Sequence, residues 1–138
     1  MAQRQIGDVV RRKPVTLPGS ATVQQACQAM NQHRIGAVLV VDGDGRLEGI
    51  FTGRDVVRLL ADGKNPGHTR LESVMTHKPE HMPPSHTAID ALRLMHDGGF
   101  RHVPVVADGC VVGIVSAMDF RAVEHDRLDE ESGFWERI

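Results

Sequence analysis

At 138 residues, with a formal net charge of −2 and a charged fraction of 25%, the chain is long enough for a buried core but lacks the basic excess that holds proteins on nucleic-acid phosphates. Four Phe, one Trp and no Tyr leave few platforms for stacking single-stranded bases. No run approaches the roughly 18 apolar residues of a spanning helix and the N-terminus carries no apolar signal core, so neither nucleic acid nor membrane is an expected partner and a cytoplasmic location is expected.

In chain order, Ile6-Gly7-Asp8-Val9-Val10 reads as a short helical lead-in, stopped at Pro14. An extended segment, Val15-Thr16-Leu17, ends at Pro18, and Val23, Ala26, Cys27 and Met30 then fall at i, i+3, i+4 and i+7, the stripe of a helix packed on a sheet. Ala37 to Val41 and Leu47 to Phe51 are apolar runs separated by Asp42-Gly43-Asp44-Gly45, which predicts a hairpin of buried strands. A second helix carries Val56, Val57, Leu59 and Leu60, and the turn-rich segment 61–68 follows.

The whole series then recurs. Leu71 to Met75 matches the lead-in, Glu80-His81-Met82 the extended segment, and Ala88, Ala91, Leu92 and Met95 the helical stripe. Val103 to Val106 and Val111 to Val115 match the hairpin, and Phe120 with Val123 predicts a last helix. Gly49-Ile50-Phe51-Thr52-Gly53-Arg54-Asp55 returns as Gly113-Ile114-Val115-Ser116-Ala117-Met118-Asp119, 64 positions on. Upstream residues are offset by 65, so one residue is lost in the second hairpin turn. The expected fold is α/β: two β-α-β-β-α repeats, 1–66 with the lead-in and 67–138 with the tail, packed through their sheets with pseudo-twofold symmetry so that each buries the other's apolar face.

Thr52-x-x-Asp55 and Ser116-x-x-Asp119 stand where a strand ends and a helix begins. One account is helix capping, in which the hydroxyl accepts from an early N–H and the acid favours the positive helix end. Thr22-x-x-Gln25 and Thr87-x-x-Asp90 have the same spacing at the other helix starts. The other account is a ligand site: helix N–H groups and a hydroxyl suit a phosphate, a carboxylate suits ribose hydroxyls, and the preceding glycines allow close approach. Arg101-His102, before the core strand of the second copy, adds positive charge to that account.

The doubled motif, the Phe100-Arg101-His102-Val103-Pro104-Val105-Val106 stretch and the order of elements resemble a tandem pair of cystathionine-β-synthase (CBS) domains, a Bateman module, over roughly residues 8 to 126. The resemblance implies adenine nucleotides held in clefts between the repeats, with Asp55 and Asp119 on the ribose and Thr52 and Ser116 on ribose or phosphate. It implies that Ile50, Ile114, Gly36, Ala37, Arg101 and His102 line the base and phosphate regions. Arg54 and Met118 occupy equivalent motif positions, so the two sites are expected to differ in charge and affinity. AMP, ADP, ATP, NAD and S-adenosylmethionine share the adenosine part and remain alternatives. The resemblance also implies a flat homodimer that passes occupancy to an unidentified downstream protein.

No glycine-rich loop with lysine, nucleophile elbow or His-Glu-x-x-His is present, so catalysis is not expected. His77, His81, His86 and His96 lie around a proline-rich loop without recognised ligand spacing, and Cys27 and Cys110 read as packing residues, so no metal site is expected. In the tail from Glu124, Phe134 and Trp135 read either as a helical extension or as anchors for a second subunit. The alternative to a nucleotide-binding regulator is a structural dimerisation module whose motifs only cap helices.

Overall fold

A computed structural model describes residues 4–10, 13–121 and 124. The expected Val123 helix position and the tail residues Phe134 and Trp135 lie outside the described residues. The chain divides into two compact units, one drawn from the described residues of Pro14–Glu80 and Asp108–Val111, the other from those of Met1–Lys13, His81–Ala107 and Val112–Ile138. The repeat boundary at 66/67 describes where the sequence recurs. The compact units are composed differently, since the first lead-in packs with the second copy and residues 67–80 pack with the first.

In the first unit, β1 (Thr16–Leu17), β2 (Ala37–Val41), β3 (Leu47–Thr52) and β4 (Thr76–His77) form a mixed sheet in that order. β1 runs parallel to β2, while β2–β3 and β3–β4 are antiparallel. The helix α2 (Val23–His33) buries Val23, Ala26 and Met30 of the expected stripe, with Cys27 at its edge. They meet Val38, Val40 and Phe51 of the sheet, with Leu59 and Leu71 completing the core. In α3 (Gly53–Ala61) only Leu59 is fully buried, whereas Val57 and Leu60 are 67% and 57% exposed. A nine-residue helix lying on a sheet turns one narrow face inward, so its four apolar residues could not all share the core. The turn-rich segment 61–68 contains a 3₁₀ turn, Pro66–His68, and the second lead-in forms another, Leu71–Ser73. The chain returns through β4, a short edge strand that apolar periodicity does not reveal because both its residues are exposed.

In the second unit, α1 (Ile6–Val9) and α4 (Ala88–Gly98) pack with β5 (His102–Ala107) and with β6 (Cys110–Ser116) from Val112 on. The predicted stripe Ala88, Ala91, Leu92 and Met95 is buried, and Ile6 and Val9 are fully enclosed beside it. β5 and β6 join through Asp108 and Gly109, at φ 54° and 81°, the left-handed pair that a two-residue hairpin requires. The first hairpin uses five connecting residues, 42–46, and closes with Gly45 at φ 80°. One residue of that difference is the changed repeat offset, and the other two are taken up by β5 and β6, each of which reaches one residue further toward the turn.

One expected element of the second copy is reduced. Its opening strand is a single parallel bridge, Met82 to Val105, because Pro79, Pro83 and Pro84 remove the N–H donors that a longer ladder needs. After Ser116 the described chain makes a 3₁₀ turn, Ala117–Asp119, before Phe120 returns to extended backbone.

Candidate functional site

Each unit carries one hydroxyl–aspartate motif at the end of a hairpin strand. At Thr52 the backbone is still extended (φ −122°, ψ 167°), and α3 begins at the next residue. The Asp55 carboxylate folds back so that Oδ2 accepts from the Thr52 N–H at 2.9 Å and from its hydroxyl at 3.1 Å. The Asp55 N–H donates to Thr52 Oγ1 at 3.3 Å. Among the described residues, Asp55 Oδ1 faces Arg58 Nη1 alone, at 3.7 Å, and the Arg58 side chain is 69% exposed. An exposed pair of that length contributes little and is readily exchanged for another partner.

The second motif repeats this arrangement. Asp119 Oδ2 accepts from the Ser116 N–H at 2.7 Å and from the Ser116 hydroxyl at 3.4 Å. The residue opening each middle strand is tied to the motif by an equivalent bond: Gly53 N–H to Gly36 O at 3.1 Å, and Ala117 N–H to Arg101 O at 3.0 Å. Within one unit, therefore, Gly36, Ala37, Ile50, Thr52, Arg54 and Asp55 come together, with Ala37 the register partner of Thr52. Within the other, Arg101, His102, Ile114, Ser116, Met118 and Asp119 do so.

The two sets differ in charge and relief. Ala37 and Ile50 are buried, Gly36 and Arg54 are exposed, and a shallow depression of about 400 Å³ opens at the start of α3 between Gly36, Gly53 and Val56 and the Met30–Arg34 end of α2. Arg34, at φ 54°, turns the chain there, and burial at the rim pushes the Cys27 thiol up. In the second set Arg101 and Met118 are exposed and His102 is half-buried. Burial holds the His102 imidazole below its ordinary value, the Arg101 cation adds to this, and the Asp119 carboxylate opposes it.

Capping is real at all four sites of this spacing. Thr22 and Thr87 receive the same reciprocal bonds, Thr22 N–H to Gln25 Oε1 at 2.8 Å and Thr87 N–H to Asp90 Oδ2 at 3.1 Å. The Asp55 side chain is nevertheless only 11% exposed against 39% for Asp90, an enclosure that capping alone does not require. Among the described residues no three His, Cys, Asp or Glu side chains assemble as a metal-holding group. Among the described residues, no helix is long and apolar enough to cross a membrane. Sequence reading missed Arg4, which reaches the Asp119 carbonyl from 115 positions away, and Glu124, which pairs with Arg4. Arg4 belongs to no motif, and its partner is distant in the chain.

Two α/β units, each presenting a hydroxyl–aspartate turn at the end of its hairpin, define a tandem-repeat α/β module. The family model for the CBS domain matches residues 6–62 and 71–126, and the chain belongs to the CBS-domain family. CBS domain-containing protein CBSX3, mitochondrial, of Arabidopsis thaliana is 34% identical over 138 aligned positions, covering 91% of this chain and 67% of that protein. CBS domain-containing protein CBSCBSPB2 of the same plant is 39% identical over 104 residues, 75% of this chain but 19% of that protein, so the chain spans about a fifth of that relative. The CBS domain pair of protein MJ0100, solved with 5′-methylthioadenosine and S-adenosyl-L-methionine, superposes with a TM-score of 0.80 at 26% identity, over 95% of this chain and 99% of that one. A CBS domain protein of Pyrobaculum aerophilum, complexed with AMP, shares the fold with a TM-score of 0.84 at 23% identity, over 91% and 98% of the two chains.

Proposed function

We propose that this chain is a non-catalytic regulatory module that binds an adenosine-containing ligand and passes its occupancy to a partner protein as a change of shape. One observation carries the reading. Both motif aspartates commit Oδ2 to their own turn, leaving Oδ1 with a weak exposed partner in Asp55 and with no hydrogen bond from the described residues in Asp119. A fixed carboxylate with one available acceptor oxygen suits a ribose diol. The AMP, 5′-methylthioadenosine and S-adenosyl-L-methionine of the two solved relatives share that diol.

In this reading Thr52 and Ser116 serve ribose or phosphate, while Ile50, Ile114 and Ala37 offer apolar contact to the base. Gly36 leaves room for close approach, and Arg54, Arg101 and His102 supply charge or polarity toward phosphate, which Met118 does not. The two sites then differ in affinity. The module acts as a homodimer in the cytoplasm, and its ligand is AMP, ADP, ATP, NAD or S-adenosylmethionine. Signal size is bounded by the ligand's differential affinity for the two shapes.

The test is a thermal-shift screen of nucleotide-stripped protein against AMP, ADP, ATP, NAD, S-adenosylmethionine and GTP, repeated on Asp55→Asn and Asp119→Asn. A ligand at about 100 times its Kd adds roughly 2.7 kcal/mol per site, a rise of several degrees. The expected result is a rise with adenosine ligands that the two substitutions reduce unequally. No rise with any of them would leave the four capping boxes as structure only and favour a dimerisation module without ligand.

A further inference from the structure

The two motif aspartates are followed by different backbone. Asp55 sits inside α3, whose hydrogen-bond ladder runs on to Ala61 and fixes the turn. Asp119 ends a three-residue 3₁₀ turn, and Phe120 is already extended at φ −97°, ψ 152°. Among the described residues no ladder of that length follows it.

Arg4 reaches it instead. Arg4 Nη2 donates to the Asp119 carbonyl at 3.4 Å, while Nη2 and Nε fork onto Glu124 at 2.6 Å and 3.2 Å. The two side chains are only 17% and 11% exposed, so solvent screens the pair weakly. Glu124 is fixed in turn by the Arg121 N–H, at 2.8 Å from Oε1. The lead-in that carries Arg4 is itself well anchored. Its Arg4 carbonyl accepts from Ala88 N–H at 2.8 Å, and Ile6 and Gly7 donate to His86 and Pro84 carbonyls at 2.7 Å and 3.0 Å. At its other end Val10 lies over Gly113, where an added Cβ would come within 2.6 Å of Val10 Cγ1. Residues 4–10 therefore touch the second motif at both its first glycine and its aspartate.

We propose that Arg4 is a positioning residue for Asp119, so that docking of the lead-in segment 4–10 and ligand affinity at the Asp119 motif form one coupled equilibrium. This rests on the nucleotide-binding reading above. Linkage makes the coupling reciprocal: ligand at Asp119 tightens the lead-in, and whatever strains the lead-in weakens the ligand. The Asp55 motif, held by its own helix, is outside this coupling.

The experiment uses the full chain in Asp55→Asn and Asp119→Asn backgrounds, which isolate one motif each, with Arg4 intact or replaced by Lys or Met. AMP, ATP and S-adenosylmethionine are titrated by calorimetry, and backbone hydrogen exchange is followed with and without AMP. Arg4→Met is expected to weaken binding at the Asp119 motif by roughly fivefold or more, the scale of a lost charge-assisted hydrogen bond, with less than about twofold change at Asp55. Arg4→Lys keeps the charge but loses the fork, so the protein stays folded and still loses affinity. In the ligand-free protein both substitutions should speed exchange around 117–120, and AMP should slow exchange at Ile6 and Gly7 of the unsubstituted chain. Unchanged affinity at Asp119 in folded Arg4 variants, or equal losses at both motifs, overturns the proposal. Absence of binding by every background and by the unsubstituted chain refutes the nucleotide reading and the coupling with it. The ligand-free exchange then still reports whether Arg4 holds the turn.

Discussion

Gly49 and Gly113 are equivalent positions of the repeat, so Gly→Ala at each is the same chemical change in the same strand context, yet the two should have unequal consequences. Neither glycine has positive φ, and removing a strand glycine by itself should stabilise by about 0.5–1 kcal/mol. At Gly49 the new methyl meets the distal atoms of Met75, Sδ at 2.5 Å, a flexible unbranched side chain that can re-pack. At Gly113 it meets both methyl groups of Val10, at 2.6 Å and 2.9 Å. Val10 is stiff at χ1, and its own N–H is bonded to Ile6 O at 3.1 Å, so it has little room to move. Overpacking of that kind costs about 1–3 kcal/mol, leaving Gly113→Ala destabilised by about 1–2 kcal/mol and Gly49→Ala close to neutral. At about 2.1 cal/mol/K of unfolding entropy per residue, the Gly113 variant should melt roughly 3–7 °C lower. Calorimetry and urea denaturation of both variants, with Gly113→Ala combined with Val10→Ala, provide the assay. The double variant should recover at least about half of the loss beyond additivity. Equal melting of the two single variants, or no recovery in the double, would refute the packing of the lead-in on the second motif.

Thr22→Ala and Thr52→Ala each remove a capping box and should each cost about 1 kcal/mol by chemical denaturation, but only Thr52→Ala should also weaken the ligand, which separates capping from binding in one pair of variants. Stability should fall on acidification in two windows. The Glu124 carboxyl is held below its ordinary value of 4.5, chiefly by its hydrogen bond to Arg4, so its contribution is complete above that pH and is lost as pH falls through the folded value; Glu124→Gln should flatten this limb. Burial depresses His102 below 6.5, so its contribution is likewise lost as pH drops from about 6.5 through its lower folded value. His102→Gln should remove that slope in urea titrations between pH 7 and 5.

What the sequence disclosed is what repeats locally. The helical stripe Ala88, Ala91, Leu92, Met95 is buried as its 3.6-residue spacing predicts, and the lost turn residue predicted the tighter hairpin at Asp108-Gly109. The spacing of Thr52 to Asp55 and of Ser116 to Asp119 predicted both reciprocal turns. Tertiary context decided the rest. The apolar pattern of α3 gave no sign that Val57 and Leu60 face outward, because burial depends on which side the sheet covers. The backbone after Asp119 could not be distinguished from that after Asp55, since the same hydroxyl-to-aspartate spacing accompanies a nine-residue helix in one copy and, in the described residues, a 3₁₀ turn in the other. Nor could a repeat alignment assign the first lead-in to the second unit: alignment compares residues with their equivalents, whereas Arg4 and Val10 act on residues to which they have no equivalence. The asymmetry between the two motifs thus has two sources. One is legible in sequence, the exchange of Gly36-Ala37 for Arg101-His102. The other is topological, because one aspartate lies within a nine-residue helix while the carbonyl of the other accepts from Arg4, more than a hundred residues away. Only the second source can make affinity at one motif answer to the position of the chain's beginning.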